Sequence, residues 1–333
     1  MLRRLKRGER DVPEGEAVHP ESLFWVRLES LRTRSLRFWK VFRQSRLGMI
    51  GLIILLVFIV MALSAPLLTS AGLLRDPNAV LCGQDFHVCP PTRPDEMDYA
   101  SPNGYVWLGT DFLGRDIFSR VWWGSQITIL IGALASIFSM GVGTFIGLVS
   151  GYYGGWLDEL LMRITDFFLV LPTLVFALIL FGIVGSRGSI WTMIMIIGIT
   201  FWASTARLVR SQVLTIKERQ FIERARAIGA SKTRIVGRHI FPNSFSLVFA
   251  EAILTVAVAI LTEAFLSFLG FLDPNEVITW GTIIEAAYSY SAVEKHLIWW
   301  IVTPGLAIVA VVMGFTLLGF ALDEIFNPRL RRR

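Results

Sequence analysis

The sequence has little of what active-site chemistry needs. Of its 333 residues, two are cysteine and four are histidine, and 17% are charged. The histidines, at positions 19, 87, 239 and 296, fall in separate stretches, so no Ser/His/Asp set and no paired metal ligands arise from neighbouring sequence. A phosphate-binding loop is also missing. Gly229-Ala-Ser-Lys-Thr233 comes nearest, but it lacks the glycine directly before the lysine and the strand that such a loop follows. The scarcity of charge, beside 54% apolar residues, excludes an ordinary soluble domain of this size. A net charge of +6 is no nucleic-acid signal here, because the basic residues segregate into alternate segments.

What is present is a series of long apolar runs with few charges inside them. A helix needs roughly 20 apolar residues to cross a ~30 Å hydrocarbon core, and six such spans are expected. The first lies within Leu47–Leu74, the second within Val121–Leu157, and the third runs from about Leu157 to Phe181. The fourth begins near Gly188 and extends towards Leu214, the fifth covers Asn243–Leu272 and the sixth Leu297–Leu322. The first is no cleaved signal peptide, since the region before it is too long and the apolar run too extended.

Loop charge sets the orientation. Residues 1–47 carry twelve Lys/Arg against six Asp/Glu, and residues 207–241 carry nine against two, so both segments belong in the cytoplasm. Residues 69–122, with seven acids and four bases, and 273–296, with four acids and one base, belong outside. Both termini are then cytoplasmic. Ser35–Arg46 mixes aromatic and basic residues and reads either as an elbow helix on the inner surface or as an extension of the first span. Trp280, Tyr288, Tyr290, Trp299 and Trp300 suit an outer aromatic belt.

Polar residues in this apolar chain stand out singly. Cys82 and Cys89 share an outer segment and read as a disulfide, against free thiols or a metal site with His87. Asp111–Arg115 and Asp116–Arg120 are spaced for helical ion pairs on a surface segment. Asp166, three residues from Arg163, reads as its ion-pair partner near the inner surface. Glu251 and Glu263 lie in the fifth span and project about 120° apart at ~100° per residue.

The stretch from Phe221 to Asn243 reads as two short helices joined at Gly229. Phe221, Ile222, Ala225 and Ile228 recur at helical spacing as one stripe. Gly229 stands where a helix end takes φ > 0, Ser231 can cap the next helix, and Pro242 suits a first turn.

This stretch resembles the cytoplasmic coupling loop of ABC-importer permeases. Glu223, Ala225, Gly229 and Pro242 match at the family's spacing, while Arg224, His239 and Phe241 stand where the pattern has alanine, isoleucine and leucine. Trp107–Arg120 is similar to the segment before the second span in the dipeptide/oligopeptide/nickel branch. Glu263–Gly270 is similar to that branch's Glu-Ala-x-Leu-Ser-Phe-Leu-Gly, and Asn327-Pro-Arg-Leu330 to its Asp-Pro-Arg-Leu ending. The chain thus resembles the second, C-type permease of peptide importers.

The resemblance implies an all-α polytopic membrane protein with the type I ABC-importer permease fold, in the plasma (inner) membrane of a prokaryote. Residues 1–47 would be the tail and elbow, 48–68 the first transmembrane helix and 69–122 the extracytoplasmic segment. Residues 123–322 would form a five-helix core with a coupling loop at 215–242, and 323–333 a basic cytoplasmic tail. Implied partners are a homologous permease subunit forming a heterodimer, two ATP-binding subunits, an extracytoplasmic solute-binding protein, membrane lipid and a peptide substrate, with no nucleic acid. No cofactor is implied on this chain, ATP and Mg belonging to the partner subunits, and no enzymatic role. By the same resemblance Ala225 would sit in a groove of an ATPase, Gly229 would set the angle of the loop, and Pro242 would tie it to the fifth span. Glu263 with Ser267 would line the path or hold the packing around it. Nickel or another small solute in place of peptide, and a non-transporting membrane scaffold or sensor, are the alternatives.

Overall fold

Long apolar runs with good helix formers have one way to satisfy their backbone in a membrane, and these runs form helices. In a computed structural model of the protein, the structure describes residues 36, 38–82, 87–88, 102, 106–184 and 189–326. The chain divides into two units, Met1–Ser45 and Arg46–Arg333. In the first, a helical stretch ends at Phe42, whose ring stacks with those of Phe38 and Trp39. It closes in turn bonds over residues 43–45. A new helix starts at Arg46, after the break at residues 43–45.

The second unit begins with α1 (Arg46–Ser70). A two-residue hairpin follows, β1 (Leu81–Cys82) against β2 (His87–Val88), pairing Cys82 with His87. Cys89, and with it the expected disulfide, lies outside the described residues. Helix α2 (Ile117–Tyr153) leads through a glycine turn to α3 (Gly155–Val170) and α4 (Thr173–Val184). Helix α5 (Ile190–Lys217) precedes the inner loop, made of α6 (Gln220–Ala227), α7 (Lys232–Ile235) and a π-helical segment, Val236–Ile240. Helix α8 (Phe241–Phe268), a short α9 (Trp280–Ser289) and α10 (Trp299–Phe326) complete it.

Among the described residues, five helical stretches are long and apolar enough to cross a membrane, and the α3–α4 pair makes a sixth span if counted as one. That pair corrects the expected straight third span, because α3 and α4 bend by 94°. Pro172 is the cause. The residue before a proline is pushed out of the helical region, and Leu171 has φ −71° and ψ 130°. A second correction concerns the fifth span, which does not start afresh at Asn243. Residues Lys232–Phe268 run as one long helical stretch through the π segment.

Packing follows small residues. Along the α2–α5 seam, a Cβ added at Gly143, Gly147 or Gly151 would lie 2.5–2.8 Å from Thr205, the Ala206 carbonyl or Val213, so only glycine lets these helices meet. At the outer end, α9 folds into the core instead of lying in a surface loop. Trp280 is fully buried, donates its indole N–H to the Val121 carbonyl at 2.9 Å and meets Phe58 edge-on. Trp300 is buried as well, so neither belongs to an outer aromatic belt. Tyr288 remains exposed.

Candidate coupling loop and its supports

The inner loop is built on the base of α5. Arg219 opens α6, and Glu223 stands exposed in its first turn, where a carboxylate favours the helix dipole. The helix ends at Ile228, and Gly229 takes φ 78° as its position required. The Gly229 amide then reaches the Arg226 carbonyl, and the Ala230 amide the Ala225 carbonyl, which are the bonds of a left-handed helix stop. Ser231 caps α7 by accepting from the Arg234 amide at 3.4 Å. Pro242 falls in the first turn of α8, just after the π segment leads into it.

The stripe divides in two. Ile222 and Ala225, the latter 7% accessible, turn inward against Val209, Val213, Ile216, Ile235 and Ile240. Phe221 faces out, and Ile228 is 85% accessible at the tip of the loop. Helical spacing alone could not separate these, because Ile228 is the cap residue and has already left the helical geometry. Ala225 therefore packs the loop onto its own chain, and the apolar side chain most fully presented outward is Ile228, with Phe221 also exposed.

A polar clamp absent from the sequence reading holds the loop's base. Arg210 of α5 grips Asp158 of α3 with two bonds, at 2.6 and 2.7 Å. The Ser150 hydroxyl donates to the same carboxylate at 2.5 Å, and Lys217 donates to the Gly151 carbonyl at 3.3 Å. Bidentate Arg–carboxylate pairs fix orientation as well as distance. The only available signal was an acid in the first turn of α3 and a base on α5, 52 residues apart in sequence. Asp166 pairs with Arg207 of α5, and Arg163 with Glu159, correcting the expected Asp166–Arg163 pair.

Glu263 is fully buried on α8 and accepts from the Ser267 hydroxyl at 2.7 Å. Ser267 packs against Gly281 of α9, so this pair sits inside the helix packing of the chain. Glu251 is half-buried on the same helix.

The outer charged segment is a buried cluster, not a surface face. The Asp111 carboxylate accepts from the amides of Leu113 and Arg115 and from Arg115 Nε at 2.6 Å. Arg120 lies 4.0 Å from it and donates to the carbonyls of Pro77 and Pro274. Asp116, expected to pair with Arg120, instead caps α2 by accepting from the Ser119 amide and hydroxyl. Among the described residues no group of three or more His, Cys, Asp or Glu is placed to hold a metal ion.

Comparison with known proteins places this geometry. Residues 143–332 match the family described as binding-protein-dependent transport system inner membrane component, and residues 33–87 match the N-terminal TM domain of oligopeptide transport permease C. The chain is 34% identical, over 91% of its length and 94% of the relative's, to the oligopeptide transport system permease protein OppC of Bacillus subtilis (strain 168). It is 33% identical, over 88% and 89%, to the dipeptide transport system permease protein DppC of Alkalihalophilus pseudofirmus. It is 31% identical, over 92% and 95%, to the glutathione transport system permease protein GsiD of Pectobacterium atrosepticum. ATP hydrolysis in such importers is the work of separate subunits, and a binding protein delivers the solute. The chain belongs to the ABC-importer inner-membrane permeases of the OppC/DppC type, a multi-pass, non-catalytic subunit of the bacterial inner membrane.

Proposed function

We propose that this chain is one of two homologous halves of a peptide importer, and that residues 215–242 couple its passage to ATP hydrolysis on a pair of ATP-binding subunits. The observation that carries the solute class is that the relatives of near full-length match are named as oligopeptide, dipeptide and glutathione permeases, all handling peptides. The coupling role is supported by the loop's construction. Ile222 and Ala225 fasten α6 to the base of α5, so a push on the loop is delivered to a membrane helix without slack. Glu223, Arg224 and Ile228 form the outward face that meets an ATPase. Gly229 holds the angle between the two arms, and the run from α7 through Pro242 into α8 carries the push to the fifth span. Switching between outward and inward access needs such rigid elements with two packings. Glu263 and Ser267 bond to each other within α8, buried where it meets α9, which supports a packing role over lining the path.

Uptake of labelled dipeptides, oligopeptides and nickel by a strain lacking this subunit tests the solute class. Restored peptide uptake by the complementing chain is expected, and nickel uptake alone would overturn it. Gly229→Val tests the loop, since a β-branched residue is strained at φ > 0. ATPase activity of the assembled complex is expected to persist while uptake falls, and undiminished uptake would count against the coupling role.

A further inference from the structure

The helices of this chain turn two kinds of face outward. Helix α1 exposes Ile53, Val57 and Leu63, α2 exposes Ile137 and Phe145, and α10 exposes Leu306 and Val309. Those are faces for lipid. Helix α5 differs, because below Met195 its outward positions are Ser204, Arg207, Ser211 and Thr215, at steps of three and four residues. We propose that this stripe of α5, with Asp166 of α3 beside it, is a wall of the water-filled passage.

Depth carries the argument. The outer end of α5 is marked by Ser189, which caps it, and by exposed Trp191, a residue suited to the membrane boundary. At 1.5 Å per residue, Ser204 lies about 21 Å and Arg207 about 26 Å along the helix from Ile190. Both fall within a hydrocarbon core of ~30 Å, Arg207 near its inner boundary although loop charge alone grouped it with the cytoplasmic segment, whereas Ser211 and Thr215, about 32 and 38 Å along, lie at and beyond that boundary, at the inner mouth. The hydroxyls of Ser204, Ser211 and Thr215 each donate to a carbonyl of their own helix, at 3.0, 2.7 and 3.1 Å, so alone they would be tolerated in lipid. The ion pair would not. The side chains of Arg207 and Asp166 are 58% and 53% accessible, and charges at that depth face water or one another. Their mutual bond uses one amino group of the guanidinium, and much of both groups still opens outward. The hydroxyl lone pairs on either side extend a polar track along α5 towards the coupling loop. Because α5 leads directly into α6, any push on that loop also displaces the track.

Thiol labelling in the assembled transporter tests this. The proposal rests on the chain being half of a passage, and the readout requires no solute. With Cys82 and Cys89 replaced by serine, Ser204→Cys and the lipid-facing Phe145→Cys are made singly. Membrane vesicles holding the complex are treated with a charged, membrane-impermeant thiol reagent, with and without ATP and vanadate. Ser204→Cys is expected to react at least about tenfold faster than Phe145→Cys, since a charged reagent is excluded from lipid. The rate at Ser204→Cys is expected to change with nucleotide. Rates no faster than at Phe145→Cys, in both nucleotide conditions, would overturn the proposal, whether lipid or the second subunit covers the stripe. Labelling that holds while peptide uptake fails would remove the solute assignment and leave the passage wall standing.

Discussion

Asp111 shows how much a single side chain organises at the outer end. Its carboxylate gathers two backbone amides and Arg115, with Arg120 close by, and Arg120 in turn bonds the Pro77 and Pro274 carbonyls. Three segments far apart in sequence meet there. Removing one partner of a buried charge network leaves the others uncompensated, at a cost of about 3–5 kcal/mol. Asp111→Ala leaves two buried guanidinium groups without their anion. A clear fall in the thermal unfolding midpoint of the purified complex is expected, and Asp111→Asn, which keeps acceptor oxygen, should fall less. The Asp111–Arg115 pair was legible at four-residue spacing. The partnership of Arg120 was not, because the carbonyls it binds lie 43 and 154 residues away.

The π segment Val236–Ile240 is the element that spacing rules could not reveal. It joins α7 to α8 and accommodates one residue more than an α-helix would over the same rise. The π turn absorbs that residue locally, so the coupling arms keep their alignment with the fifth span. Inserting one alanine after Ser244 puts the extra residue in regular α-helix and turns the arms by about 100° relative to the rest of α8. Ile222 and Ala225 would then leave their cluster. ATPase activity without peptide uptake is expected from the assembled complex, and full uptake would show that the register has no role. The α3–α4 bend illustrates a similar limit. Pro172 was visible, but membrane helices tolerate proline where neighbours satisfy the backbone, so the residue type does not decide between a mild kink and a 94° bend.

The whole bundle depends on how closely its helices approach. At Gly147 an added Cβ would sit 2.6 Å from the Ala206 carbonyl, whereas at Gly141 of the same helix nothing lies within 4 Å. Gly147→Leu is expected to destabilise the α2–α5 seam by about 1–3 kcal/mol or to prevent assembly. Gly141→Leu should be tolerated, and membrane-inserted, protease-resistant protein is the measure of both. The apolar segments and the capped, left-handed turn of the inner loop could be read from the chain. Each depends on local composition or on one residue's backbone freedom. Which way a side chain faces could not be read. Ala225 and Ile228, Trp280 and Tyr288, Glu263 and Arg207 each look alike in sequence and differ in burial, because burial depends on which helix lies alongside, and that is settled only when distant segments pack.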